Sequence, residues 1–183
     1  IRFAKIPGFF PTPDTVANRM AEMAQIATRG EVSVLEPGGG TGSLVEAVYR
    51  RNKNARVVIY ERQHTLAELL RLKFPEATVH FEDFTEAAPS PTFDVVIMNP
   101  PYEKRQDAEQ VVRAWRWVKP GGILVALISE GPFTATDKKS LALREWLESV
   151  DGRNIPLKNA FKGRDVFRQT GVATRIIVAR KDR

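Results

Sequence analysis

The sequence predicts a doubly wound α/β fold built on a mostly parallel sheet, and three observations carry that reading. Strand-like and helix-like runs alternate along most of the chain. Two of the strand-like runs, Val95-Val96-Ile97-Met98 and Ile123-Leu124-Val125-Ala126-Leu127-Ile128, are apolar at every position, as strands buried on both faces must be. The first strand also runs directly into a glycine-rich turn that opens a helix, the arrangement that places a ligand beyond the carboxyl end of a parallel strand.

Taken in order, a Pro-Thr-Pro-Asp start and apolar residues at helical spacing, Val16, Met20, Met23, Ala24 and Ala27, predict a leading helix over 14–28. Residues 32–35 form the first strand and 43–51 the helix after the glycine turn. The pattern repeats with a strand at 56–60, a helix at 65–74, strands at 78–81 and 93–98, a helix at 108–118 and a strand at 123–129. Pro120-Gly121-Gly122 reads as the turn between the last two. Residues 138–150 predict a further helix and 172–179 a closing strand. Gly131-Pro132 interrupts regular structure, so 130–137 is expected to be a mobile surface loop.

A length of 183 residues and 43% apolar content suit one domain with a real core, divided into a leading segment (1–30), a central layer (31–133) and a closing portion (134–183). The sequence has no apolar run of the roughly 20 residues that a bilayer demands, and its first ten residues lack the pattern of a secretory leader. A cytoplasmic location with no membrane partner is the expectation. The chain has no Cys and only two His, which leaves little to ligate zinc, so no metal is expected. Oligomeric state is not legible.

Charge is unevenly placed. Residues 1–133 hold 16 Lys and Arg against 16 Asp and Glu, whereas 134–183 hold 12 against 6. A local basic surplus of this kind attracts polyanions such as nucleic acid, and it equally suits a solvated helix and strand.

The candidate site begins at Glu36-Pro37-Gly38-Gly39-Gly40-Thr41-Gly42, where glycines let a ligand approach the backbone. The dinucleotide fingerprint needs glycine where Ser43 stands, which argues against a nicotinamide cofactor. Glu36 beside the turn disfavours a pyrophosphate and favours a ligand carrying an ammonium group. Glu61 closes the second strand, where an acid can accept from both ribose hydroxyls, with Arg62 next to it. Asp83 ends the third strand and can accept from an adenine amino group, or it is a turn aspartate.

Asn99-Pro100-Pro101-Tyr102 follows the buried strand 93–98 and so faces the same crevice. Consecutive prolines fix the backbone and donate nothing, which leaves carbonyl acceptors beside the Asn99 amide oxygen and an aromatic face on Tyr102. An amine donating its hydrogens to Asn99 and to the Pro100 carbonyl is drawn toward tetrahedral geometry, and its lone pair is freed for attack without a strong base.

These residues resemble the class I S-adenosylmethionine-dependent methyltransferases, specifically the amino-methylating branch that includes adenine-N6 DNA methyltransferases of compact phage and plasmid type. Glu36 to Gly42 is similar to that family's cofactor motif, Asn99 to Tyr102 to its catalytic motif, and Phe10-Pro11-Thr12-Pro13 to the segment before its first helix. The resemblance implies a Rossmann-like, seven-stranded sheet with an antiparallel last strand and S-adenosylmethionine as cofactor. It gives Thr12, Gly38 and Gly40 to the methionine carboxylate end of the cofactor, Glu61 to the ribose, Asp83 to the adenine and Phe84 to stacking on it.

The resemblance further offers Phe161 and Phe167 as an aromatic wall for an extruded base, and gripping a duplex during that extrusion would fall to the basic tail and the 131–139 loop with Lys138 and Lys139. Such DNA enzymes usually carry a separate target-recognition domain, for which this chain has no space. Nucleic acid is the implied partner, DNA ahead of RNA. The same tetrapeptide also occurs in ribosomal-RNA methyltransferases and in enzymes that methylate a glutamine amide of release factors. A catalytically silent cofactor-binding subunit stands as the alternative outside enzymes.

Overall fold

The computed structural model describes residues 11–160 and 173–183. One seven-stranded sheet organises them, with β1 at Ser33–Glu36, β2 at Arg56–Tyr60, β3 at Thr78–His80, β4 at Phe93–Met98, β5 at Val118–Ser129, β6 at Arg153–Pro156 and β7 at Thr174–Arg180. The strand order is β3-β2-β1-β4-β5-β7-β6. The first five strands run parallel, and β7 enters antiparallel between β5 and β6. This is the mostly parallel Rossmann-like sheet with a reversed last strand.

Alternation along the strands divides the core in two. Val34, Val95, Ile97, Ile123, Val125 and Ile176 face α1 (Asp14–Met23), α2 (Ser43–Arg51) and α3 (His64–Lys73) on one side. Leu35, Val96, Met98, Leu124, Ala126 and Ile177 face α4 (Gln106–Ala114) and α5 (Lys138–Ser149) on the other. Both faces of the central strands are covered, as their unbroken apolar runs require. Reversal of strand order between β1 and β4 opens a crevice beyond the carboxyl ends of the strands. A short α6 covers Leu157–Ala160. Among the described residues no helix is long and apolar enough to cross a membrane.

Four departures from the expected elements have physical causes. The leading helix stops at Met23 because Gln25 adopts a left-handed conformation with φ 56°, after which residues 26–28 make one 3₁₀ turn. That turn buries Ile26 completely, and the Asn52 side-chain amide donates to the carbonyls of Arg29 and Gly30 at 2.8 and 2.9 Å. The helix expected over 108–118 runs instead from Gln106 to Ala114, and β5 begins at Val118.

Pro120-Gly121-Gly122 therefore lies inside β5, where the register against β4 jumps between the Phe93–Val118 and Val95–Ile123 pairs. A side chain at Gly122 would lie 2.7 Å from Val118 and 2.9 Å from the Asp94 carbonyl, so this β-bulge admits only glycine there.

The third departure is β6, an edge strand. Finally, the 130–137 segment is pinned rather than loose. Arg144 donates to the carbonyls of Pro132 and Ala135 at 2.6 and 2.8 Å, and Arg175 forks onto Glu130 at 2.6 and 2.7 Å.

Candidate active site

β1 delivers Glu36 into the crevice, and the chain then folds back under its own hydrogen bonds. Gly38 donates to Glu36 Oε1 at 3.1 Å, Gly39 to the Tyr60 carbonyl at 3.1 Å, and Gly40 to Glu61 Oε2 at 2.9 Å. Gly40 and Gly42 have φ of 52° and 87°, which glycine adopts without strain.

The glycines divide the work. A side chain at Gly39 would meet Ile59 and Leu70 at 2.5 and 2.6 Å, and one at Gly42 would meet Phe74 at 2.5 Å, so these two are fixed by packing. At Gly38 the same atom meets nothing within 4 Å, because that position opens onto the crevice.

The crevice encloses about 1010 Å³ including its open mouth. Glu36, Glu61 and Asp83, from the ends of β1, β2 and β3, all reach its wall. Glu61 is 6% exposed and braces both neighbours, its Oε1 accepting from the Gln63 N–H at 2.8 Å while Oε2 holds Gly40. Each oxygen retains capacity for a further donor such as a ribose hydroxyl. Asp83 Oδ1 accepts from the Thr85 amide and hydroxyl at 2.8 and 2.7 Å, and Oδ2 takes part in neither bond.

Glu36 is the least satisfied group. It is 1% exposed, and its Oε2 is buried without a hydrogen-bond partner. Burial pushes its carboxyl well above the usual range; the Gly38 bond opposes this and the nearby Glu61 charge adds to it. An orphaned buried carboxylate oxygen in the wall, together with the open cradle at Gly38, fits a ligand that brings an ammonium group.

Between the carboxyl's ordinary value in the unfolded chain and its raised value here, the native state holds the extra proton, so unliganded stability falls as pH rises through that window. A cationic ligand favours the ionised form, so its affinity rises with pH over the same window. Glu36→Gln is therefore expected to raise the thermal midpoint at neutral pH while weakening and flattening the pH dependence of S-adenosylmethionine binding. Calorimetric titration from about pH 5 to about pH 7, below the cofactor amino group's own titration, reads both variants. A parallel pH slope in the Gln variant would detach Glu36 from the ligand.

At the end of β4, Asn99, Pro100 and Pro101 enter the same crevice beside Thr12. The Asn99 amide is held at both ends: Nδ2 donates to Thr12 Oγ1 at 3.0 Å, and Oδ1 accepts from the Tyr102 hydroxyl at 2.9 Å. Tyr102, whose ring was expected to offer a stacking face, is partly buried and turns its hydroxyl onto Asn99 Oδ1. Burial, with Asp107 adding, pushes its hydroxyl pKa above the phenol range, which keeps it a donor.

Pro37, Thr41 and Arg62 line the crevice as expected, whereas Gly42 lies beneath it as the helix cap. Phe84 reaches the wall but is 2% exposed and packs against Trp117 with ring centres 5.6 Å apart, so it is first a core residue. Lys138 and Lys139 start α5 away from the crevice, Lys139 paired with Glu109 at 2.6 Å. Phe161 and Phe167 lie outside the described residues. The structure adds Gln110 of α4 and Leu66 of α3 to the wall. Only their helices' proximity to the two motifs could have signalled them.

Ribosomal RNA small subunit methyltransferase A of Thermotoga neapolitana is 30% identical over 113 residues, 60% of this chain and 42% of that protein. The match thus spans less than half the length of that relative. A Listeria monocytogenes protein described as a class I S-adenosylmethionine-dependent methyltransferase superposes with a TM-score of 0.76 at 18% identity, over 100% of this chain and 64% of that one. TYW2 of P. horikoshii, in complex with MeSAdo, gives 0.65 at 15% identity, over 98% and 66%. At such identities these structures share the fold. The sequence profile of the family described as conserved hypothetical protein 95 matches residues 1–148, well over half of the chain, and this protein belongs to that family.

Proposed function

We propose that this protein is an S-adenosylmethionine-dependent methyltransferase acting on an exocyclic amino nitrogen of a nucleic-acid base, with RNA as the polymer. The observation that carries the reading is the meeting, in one crevice, of the Asn99 turn with the orphaned Glu36 carboxylate and the open cradle at Gly38. Glu36 would take the cofactor's ammonium group, Glu61 its ribose hydroxyls and Asp83 its adenine edge. Bound there, S-adenosylmethionine supplies an electrophilic methyl group.

The chain's own task is to present the acceptor. Asn99 Oδ1 and the Pro100 carbonyl accept the amine's hydrogens, so the positive charge the nitrogen gains is met by oxygens already in place. Two prolines in succession keep that turn from relaxing. The name of the curated relative, a ribosomal RNA methyltransferase, supports RNA over the DNA expected from the tetrapeptide alone. The basic surplus of 134–183 supports a polyanionic substrate.

The test is transfer of tritiated methyl from S-adenosylmethionine to protein-free small-subunit ribosomal RNA, unmethylated plasmid DNA and a release factor in parallel, followed by nucleoside mass spectrometry. Label is expected in RNA, on a base amino group. Label in DNA would replace the polymer, label on a glutamine amide would replace the substrate class, and cofactor binding without transfer to any of the three would overturn the proposal.

A further inference from the structure

We propose that Thr12 is a positioning residue for Asn99, a fixed post that holds the amide at its nitrogen end while Tyr102 holds its oxygen end. The assignment rests on the amino-methylation reading of the site and departs from the role the family resemblance gives Thr12, contact with the carboxylate end of the cofactor. Thr12 is 7% exposed and its hydroxyl lies 3.0 Å from Asn99 Nδ2, across 87 positions of sequence.

Its backbone is unusually well fixed for a residue ahead of a helix. Pro11 and Pro13 flank it, and Pro13 caps α1 with φ −58° and ψ 146°. The Pro13 carbonyl accepts from Ala17 at 2.9 Å, and Val16, Ala17, Met20 and Ala21 anchor that helix in the core. The hydroxyl is therefore carried by a support that the protein cannot move cheaply.

Asn99 needs such a support. Prolines immobilise the backbone that follows it, but nothing in a proline turn fixes the side-chain torsions of the residue before it. Thr12 at the nitrogen and Tyr102 at the oxygen hold those torsions from outside. With both pins the amide stays where an acceptor amine must find it. Loss of the Thr12 bond loosens that placement, and a small misplacement of a catalytic group costs rate rather than cofactor affinity.

Thr12→Val keeps the shape and removes the acceptor. The expected result, with tritiated S-adenosylmethionine and protein-free small-subunit ribosomal RNA, is a kcat about 3- to 10-fold lower, the worth of one neutral hydrogen bond, with cofactor Kd unchanged. Thr12→Ser should recover most of the rate. The Asn99 side-chain NH₂ pair, identified in a ¹⁵N–¹H spectrum as the pair lost in Asn99→Ala, should shift in the Val variant and return in the Ser variant.

A weakened cofactor Kd with unchanged kcat would hand Thr12 back to the cofactor, and an unmoved NH₂ pair would sink the proposal outright. If the wild-type protein transfers no methyl to the RNA, the functional reading falls and the NH₂ resonance alone decides whether Thr12 holds Asn99.

Discussion

Asn99→Ala is expected to lower kcat by about 10² to 10³-fold while leaving the Kd for S-adenosylmethionine almost unchanged. The split follows from where the side chain is fastened. The bonds that shape the glycine turn, from Gly38, Gly39 and Gly40, go to Glu36, Tyr60 and Glu61, and none uses Asn99. Removing the amide takes away an oxygen aimed at the acceptor and leaves the Tyr102 hydroxyl without that partner. Steady-state kinetics on the RNA substrate, with cofactor affinity measured by calorimetry, separate the two effects. Full activity in the alanine variant would remove the tetrapeptide from the chemistry.

Glu61→Ala should act in the opposite sense, weakening cofactor binding by about 1 to 3 kcal/mol through the loss of a charged acceptor for the ribose. The structure adds a second cost, because Glu61 also braces the Gly40 and Gln63 amides. Both would be left without their side-chain partner, and the turn between β1 and α2 should loosen. Glu61→Gln keeps one oxygen and is expected to fall between wild type and alanine in both affinity and thermal midpoint. A cofactor Kd unchanged in the alanine variant would exclude Glu61 from the site and leave it a purely structural brace.

What could be seen in the sequence depended on whether a residue's environment was local. The apolar Val95–Met98 run of β4 reads as a strand covered on both faces, and the Gly38 to Gly42 turn as one that follows a strand ending at a ligand, so both were legible. β6 was not. Its Arg153-Asn154-Ile155-Pro156 is half exposed at the sheet's edge, and neither alternation nor a long apolar run marks it. Gln25 gave no hint of its left-handed turn, since only the burial of Ile26 and the reach of Asn52 demand it.

In the site, Glu36 and Glu61 could be placed from strand ends alone. The Thr12 to Asn99 bond could not, because nothing within either segment records a partner 87 positions away. The Tyr102 to Asn99 bond was hidden in another way: the ring of the tetrapeptide drew attention to stacking, and nothing in the sequence marks the hydroxyl's target.

The insertion of β7 between β5 and β6 has a consequence for how the chain is made. Synthesis runs from the N-terminus, so a nascent chain that has emerged as far as Pro156 already holds the crevice walls, which among the described residues come from 11–110. Along the edge that β7 comes to occupy, however, β5 then presents seven positions from Ile123 to Ser129 without their partners, and β6 lacks the strand it pairs with among the described residues. Such an apolar open edge is a template for pairing with another chain. Until β7 pairs with it, that edge of β5 is the part of the sheet most open to such pairing.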